Sequence, residues 1–395
     1  MADTEFSANV HPTLVRTAYA RKALLWAQQQ MFFKPFIQDQ RANEVRPTGR
    51  EMAVTAVSDG SDAIITRKSE LVSKPGDKVQ VRVVSPLSGQ GTIDDETLEG
   101  SEEALVYYTQ DVTVRQRRNA VRDKGQLNLQ RVDVPFREDA KGALGSWLAQ
   151  ELDSDVLLSL CGLANTAGTL SANAPSGNRR WVGGQTTAGV VGHCAAETDV
   201  LLGSGTGSKT YVDHLFGTKV ISTVKRKATM GGVGYPRLRP IMIKGKAYYI
   251  MMIHTWQAKA LRLEAAWIAA QSDANNRGLD NPIFDGSLGV FDGVVVHEWD
   301  KIEARVGDGT GTDPATYFES GDALTSSSET ACRALFLGAQ AGLLAIAKNV
   351  SWKEKSFDYE NKHGIAIGAM WGAAKTEFNS EDFAVIAVDT CVAPD

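Results

Sequence analysis

One stretch, Val134–Asn165 (VPFREDAKGALGSWLAQELDSDVLLSLCGLAN), constrains the fold more than any other. Leu144, Trp147, Leu148, Leu152, Val156, Leu157 and Leu160 recur at steps of three and four, the period of a helix. Arg137, Glu138, Lys141, Glu151 and Asp155 fall mostly between them, as on a one-sided amphipathic helix with Trp147 in the core. Pro135 suits the first turn, where a missing N–H costs nothing, and Glu138 and Asp139 meet the positive end of the helix dipole. Gly162 is placed to stop the helix. Gly142 and Gly145 each cost about 1 kcal/mol against alanine, so either something packs closely there or the helix is merely imperfect. At about 1.5 Å per residue the rod is about 38 Å long, a backbone for other parts of the chain.

A chain of 395 residues holds two or three domains with ample core. Its net charge of −5 gives no global case for nucleic-acid binding, and no apolar run reaches membrane-spanning length. The polar start, with Asp3 and Glu5, reads as carrying no signal peptide. Cys161, Cys194, Cys332 and Cys391 form no CxxC pair and read as reduced thiols.

Along the chain, Leu14–Ile37 is rich in helix formers and carries Trp26, Phe32, Phe33 and Phe36, which either fold back on their own domain or cover another surface. Val79, Val81 and Val83 alternate with polar residues as on a half-exposed strand, and Val106–Val114 reads as the returning strand. The tip between them is acidic, with Asp94, Asp95, Glu96, Glu99, Glu102 and Glu103. Arg115, Arg117, Arg118, Arg122 and Lys124 form a basic cluster that could touch nucleic acid, but it is read first as a polar face of the returning strand and next as a partner for acidic groups within or between subunits. Gln126–Val134 reads as a further strand. Further on, Tyr211–Met230 reads as a helix, Ala247–Ile253 as a buried strand, and Thr255 as the cap of a helix over Trp256–Leu263. Val290–His297 reads as one strand and Ala331–Asn349 as a small-residue apolar helix. The tail reads as strands over Ser356–Tyr359, Ile365–Met370 and Phe383–Val388. The order of elements argues for α+β.

Catalytic signatures are weak. Gly203–Thr210 (GSGTGSKT) resembles a phosphate-binding loop, with Lys209 and Thr210 as the functional pair, but Ser208 stands where that motif needs glycine. The six histidines are scattered, and neither His193-Cys194 nor His297-Glu298 makes a zinc site. No catalytic, cofactor-binding or metal residue is assigned.

Taken in order, GDKV, SPLSGQG, TLEGSEEAL, QRRNAVR and FREDAKGALGSWLAQELD, then RPIMIKGKAYYIMMIH, NPIFDGSLGVFDGVVVHEWD, CRALFLGAQAGLLAIAK and FDYENKHGIAIGAMWGAAKTEFNSEDFAVIAVDT, resemble the major capsid proteins of tailed bacteriophages, of the podophage and prophage type. Residues 166–207 match poorly and look like an insertion. The resemblance implies an α+β, HK-ninety-seven-like capsid fold. Its parts would be an N-terminal arm (1–73), an extended loop (74–133), a peripheral domain with the spine helix plus insertion (134–194), an axial domain (195–300) and a return to both domains (301–395). It implies a structural protein, not an enzyme, without cofactor, that self-assembles into hexamers and pentamers of an icosahedral head. That head would enclose double-stranded DNA without sequence specificity, be assembled in the bacterial host cytoplasm and have no membrane. Scaffolding, portal or decoration proteins are further partners to be expected. The expected contacts between subunits are Trp26, Phe32 and Phe33 of the arm, and the acids Asp94, Asp95, Glu96 and Glu99 against Arg115, Arg117, Arg118 and Arg122 of a neighbour. Some shells of this fold are joined by isopeptide bonds from a loop lysine. Ser85–Ala104 contains no lysine, so a non-covalent shell is expected. The rival readings are a nucleotide-binding enzyme using Gly203–Thr210 and a minor or decoration virion protein.

Overall fold

The computed structural model describes residues 12–39, 63–72, 75–84, 107–125, 136–161, 180–185, 191–193, 216–230, 237–243, 245–272, 286–299, 304–306, 330–359, 361–378 and 381–392, with 99, 102 and 104 as isolated positions. The helices among them are α1 (Pro12–Gln30), α2 (Phe136–Leu160), α3 (Thr218–Met230), α4 (Thr255–Leu263) and α5 (Ala265–Ser272). The first strands are β1 (Ile37–Asp39), β2 (Ile65–Lys68), β3 (Lys78–Val84), β4 (Tyr107–Thr113), β5 (Arg115–Arg122), β6 (Arg180–Gln185), β7 (Val191–His193), β8 (Ile241–Ile243) and β9 (Lys246–Ile253). The rest are β10 (Gly289–Phe291), β11 (Val294–Glu298), β12 (Ala304–Val306), β13 (Thr330–Leu337), β14 (Gly342–Phe357), β15 (Lys362–Lys375), β16 (Glu377–Phe378), β17 (Glu381–Asp382) and β18 (Val385–Val392).

Two sheets carry the α+β fold. One has five strands in the order β1-β2-β14-β15-β5. The other runs β10-β11-β9-β13-β18-β6-β7, with β12 beside β13 and β8 beside β9. The β3–β4 hairpin and the short β16–β17 pair stand apart. Strand β9 shows why its sequence is a continuous apolar run. Ile250 and Met252 face one core with α1, α2 and the five-stranded sheet, while Tyr249, Met251 and Ile253 face a second core with α3, α4 and α5. A strand covered on both faces has no polar side to alternate with.

Helix α2 occupies the expected stretch and buries Leu144, Leu148, Val156, Leu157 and Leu160. Trp147 is a correction: it is only half-buried, at the rim of that core, because the buried face is centred on Leu144 and Leu148. Gly145 is the close approach its composition hinted at. A Cβ there would lie 3.0 Å from Trp26 Cδ1 and 3.2 Å from the Ala23 carbonyl, so glycine lets α1 settle against α2. At Gly142 nothing stands within 4 Å of that position, and it is simply a weak point of the helix.

Three other expectations are corrected. Ala331–Asn349 is not a helix but β13 after its first residue, a turn and the first half of β14. Its run of Ala, Leu and Gly is also what a strand buried on both faces looks like, and periodicity alone cannot separate the two. Gln340, at φ 60°, breaks any helix there. The turn is buried and held by four backbone bonds to three distant segments. Gly338 N donates to the Ala384 carbonyl (2.9 Å), Ala339 N to Arg239 (2.8 Å), Gln340 N to Ala63 (2.6 Å) and Gly342 N to Ile64 (3.1 Å). A side chain at Gly338 would meet the Arg239 carbonyl at 2.7 Å. Second, Val290–His297 is a hairpin: Asp292 (φ 48°) and Gly293 (φ 73°) form a two-residue turn of left-handed residues that matches strand twist. Third, the cap of α4 is His254, not Thr255. Its Nδ1 accepts from Trp256 N (3.2 Å), and the Gln257 carboxamide oxygen accepts from His254 N (3.1 Å). The strand expected over Gln126–Val134 falls outside the described residues, apart from the helix it leads to. So does the first turn of the helix expected over Tyr211–Met230, which is present from Thr218.

The two glycines of α2 give opposite expectations. Gly142→Ala should raise stability by about 0.5–1 kcal/mol, the helix-propensity gain. Gly145→Ala should lower it, because α1 must shift to admit the methyl. Chemical denaturation of the unassembled subunit measures both, and equal signs would refute the close-packing account.

Candidate assembly interface

The surfaces that could join subunits are built on α2 and the five-stranded sheet. The root of the β3–β4 hairpin lies on its own chain: Val79, Val81 and Val112 pack on Leu343, Ala345 and Ala374 of β14 and β15. Gln110 fixes it further, donating from Nε2 to the Lys375 carbonyl (2.6 Å) and accepting at Oε1 from Glu377 N (3.1 Å). Beside it Lys375 and Asp382, both buried, form an ion pair of 2.7 Å. A buried charge with its partner in contact is tolerated, whereas removing one partner strands the other. The hairpin is therefore anchored at its base.

The basic cluster is not part of the returning strand. Its four arginines lie on β5, which leaves the hairpin after Val114 and pairs with β15 as the outer strand of the five-stranded sheet, while Lys124 follows the strand. Its side chains divide. Arg117 turns inward and binds α2, with Nη2 2.7 Å from Asp155 Oδ1 and Nη1 3.2 Å from Glu151 Oε2. That corrects the expectation that Arg117 meets a neighbour's acids: its guanidinium is consumed within the chain. Arg115 is half-buried, whereas Arg118 and Arg122 are exposed, with Arg122 lying over the Phe357 ring at 4.6 Å.

Asp155 is a strongly perturbed carboxylate. Burial pushes its pKa up to about 6, and the Arg117 charge and the Trp371 indole opposing that shift do not cancel it. Trp371 Nε1 donates to Asp155 Oδ2 at 2.9 Å. One carboxylate thus ties α2, β5 and β15 together.

The arm residues expected to reach a neighbour divide in the same way. Phe33 is wholly buried in its own chain and has no surface to offer, a second correction. Phe32 stacks on Trp299 with ring centroids 4.6 Å apart. Both backbone N–H groups donate to the Asp153 carboxylate of α2, at 2.8 Å and 3.3 Å, so the end of the arm is pinned. Trp26 remains 43% exposed, with its Nε1 3.4 Å from Ser146 Oγ. Of the tip acids, Glu99 is described and exposed, while Asp94, Asp95 and Glu96 lie outside the described residues. The Gly203–Thr210 loop lies outside them too.

Sequence reasoning missed the groups that hold these parts together. Arg333, buried in β13, donates from Nη1 to the Cys161 carbonyl at the end of α2 (3.1 Å), satisfying a helix-terminal acceptor. Asp153 had a legible signal. It continues the buried series Gly145, Ala149, Asp153, Leu157, and a charge in an apolar stripe demands a partner.

Residues 16–394 match the family model described as phage capsid protein. The chain belongs to the phage capsid protein family. Among this family's relatives, the major capsid protein of Pseudomonas phage KPP25 is 30% identical over 357 residues, covering 83% of this chain and 88% of that one. The capsid of Ralstonia phage GP4 superposes with a TM-score of 0.67 at 27% identity, over 85% of this chain and 88% of that chain. The capsid of cyanophage Pam1 shares the fold at 18% identity, with a TM-score of 0.63 over 100% of this chain and 97% of that chain. As a phage capsid protein the chain is a structural component of the virion and not an enzyme.

The Asp155 site has a signed pH dependence. An acid whose pKa is higher folded than unfolded binds its proton more tightly in the fold, so its contribution is greatest at low pH and is lost as pH rises through about 6. The stability of the natural subunit relative to Asp155→Asn should therefore fall by about 1–3 kcal/mol between pH 4 and pH 6.5. Denaturant titrations of both proteins across that range measure it, and a rising or flat difference contradicts the assignment.

Proposed function

We propose that this chain is the principal shell-forming subunit of an icosahedral phage head, assembling through hexamers and pentamers around double-stranded DNA. The observation that carries the reading is the 30% identity to a phage major capsid protein across 88% of that protein's length. In this reading residues 1–73 are the arm, 74–133 the extended loop, 134–194 the spine region, 195–300 the axial domain, and 301–395 return to both. Assembly takes place in the bacterial host cytoplasm. DNA is enclosed without sequence readout, in keeping with a chain whose net charge is −5. Scaffolding, portal or decoration proteins would be further partners in the same head.

The anchored β3–β4 root supports a division of labour: the base belongs to its own subunit and the acidic tip to the next. Asp94, Asp95, Glu96 and Glu99 would then meet Arg118 and Arg122, whose side chains are exposed along the outer strand of the five-stranded sheet. Arg115 stands at the start of the same strand, and Trp26 offers an exposed indole on the arm. Exposed ion pairs are worth about 0–1 kcal/mol each and are screened by salt, so many copies must act together.

Negative-stain imaging with sedimentation tests the reading. Shells or capsomers are expected, with shell integrity falling as salt rises. Only monomers or dimers, over a wide range of salt and concentration, would reject it. Mature particles boiled in detergent should release one band at 42.6 kDa, since the tip has no lysine for covalent joining. A ladder resistant to reducing agent would contradict the non-covalent shell.

A further inference from the structure

The turn between β14 and β15 is built at a cost to the subunit. Asp358 (φ 55°) and Tyr359 (φ 47°) are consecutive left-handed residues, and a bulky aromatic rarely adopts that conformation. Tyr359 is nevertheless fully exposed, so its side chain gives the subunit nothing in return. The turn around it is fixed. Asn361 N donates to the Asp358 carbonyl (2.9 Å), and the Asp358 carboxylate takes the Asn361 carboxamide N–H (3.3 Å) and the Lys362 ammonium (3.4 Å). Those two partners also hold the Asp358 carboxyl below its usual range. Below the turn, Arg122 and Lys355 both lie over the Phe357 ring, at 4.6 and 5.1 Å. A strained turn that is over-determined by its surroundings and presents one naked aromatic has the form of a binding anchor.

On the flank of the same hairpin lies an open cleft of about 510 Å³, between the start of α2 and the ends of β14 and β15. Phe136, Arg137, Glu354, Lys355, Ser356 and His363 line it. Phe136 offers an apolar wall, and Arg137, paired with Glu354 at 2.8 Å but still more than half exposed, presents a guanidinium face on which a ring can stack, while Ser356 Oγ, 3.4 Å from His363 Nδ1, is a polar partner for a phenol. The pairs Ser356–His363 and Lys355–Gly364 are the rungs next to Phe357–Lys362, which closes the turn. At about 3.4 Å per residue, the cleft begins within roughly 10 Å of the anchor.

We propose that Tyr359 of one copy inserts into this cleft of a second copy. The inference rests on the reading of the chain as a shell subunit and names one of its contacts. A contact between two different patches closes into a ring when a rotation brings each anchor to the next receptor. Anchor and receptor at the same tip of the same hairpin suit a small ring of copies whose hairpin ends meet around a common axis.

The full-length chain tests this, with shell formation by the natural protein as the first control. If that control forms no shells, the shell reading itself fails. Given shells, Tyr359→Gly relieves the left-handed turn and should leave the melting temperature of the unassembled subunit equal or higher. The same change should cut the yield of shells by about tenfold or more at the concentration where half of the natural chain assembles. A double variant that keeps the anchor, Lys362→Cys beside it with Arg137→Cys in the cleft, should on oxidation give disulfide-linked oligomers in denaturing gels, absent from either single variant. Undiminished shells from Tyr359→Gly, or only monomeric bands from oxidised shells of the double variant, would overturn the proposal.

Discussion

Asp153 and Asp155 hold this molecule together. Both are buried on α2, and two residues of helix separate their directions by about 200°. They therefore serve opposite sides of the rod. Asp153 receives the backbone of the arm at Phe32 and Phe33, and Asp155 receives Arg117 of β5 and Trp371 of β15. Without them the helix would still bury its leucines. It would lose the directional bonds that decide where the arm and the basic strand lie.

This explains what the sequence could and could not convey. The long helix, the β3–β4 strands and the tail strands at Ile365–Met370 and Val385–Val388 are legible because each repeats a local period, and β9 is legible as a short apolar run, whereas the strand expected over Ser356–Tyr359 is the last two residues of β14 and its left-handed turn. The helix expected over Ala331–Asn349 fails because β13 and the first four residues of β14 are buried on both faces, and a period of two disappears when both sides are apolar. Arg117 read as one of five equivalent surface cations, since nothing in RQRRNAVR tells which arginine points inward. That is decided by β5 pairing with β15 and facing α2, a contact across 34 and 38 residues. The arm aromatics show the same limit. Their abundance announced that something must be covered, but Trp299, which covers Phe32, lies far along the chain.

The candidate interface is accordingly split within single elements. In β5, Arg117 secures the fold while Arg118 and Arg122 remain outward. In the arm, Phe33 is core while Trp26 is surface. A phage capsid protein needs this division, because a subunit must be stable before it meets its neighbours and must still have surface left for them.

The buried turn at Gly338–Ala341 gives the subunit a mechanical character. It links β13 in one sheet to β14 in the other, and backbone bonds to Ala384, to Arg239 and to the adjacent Ala63 and Ile64 clamp it from three segments. Swinging the sheets against each other at this joint would strip those bonds, at about 1–3 kcal/mol for each buried group left unmade. The joint thus behaves as a weld and not as a hinge. Pressure on such a subunit would pass through the welded body as a load.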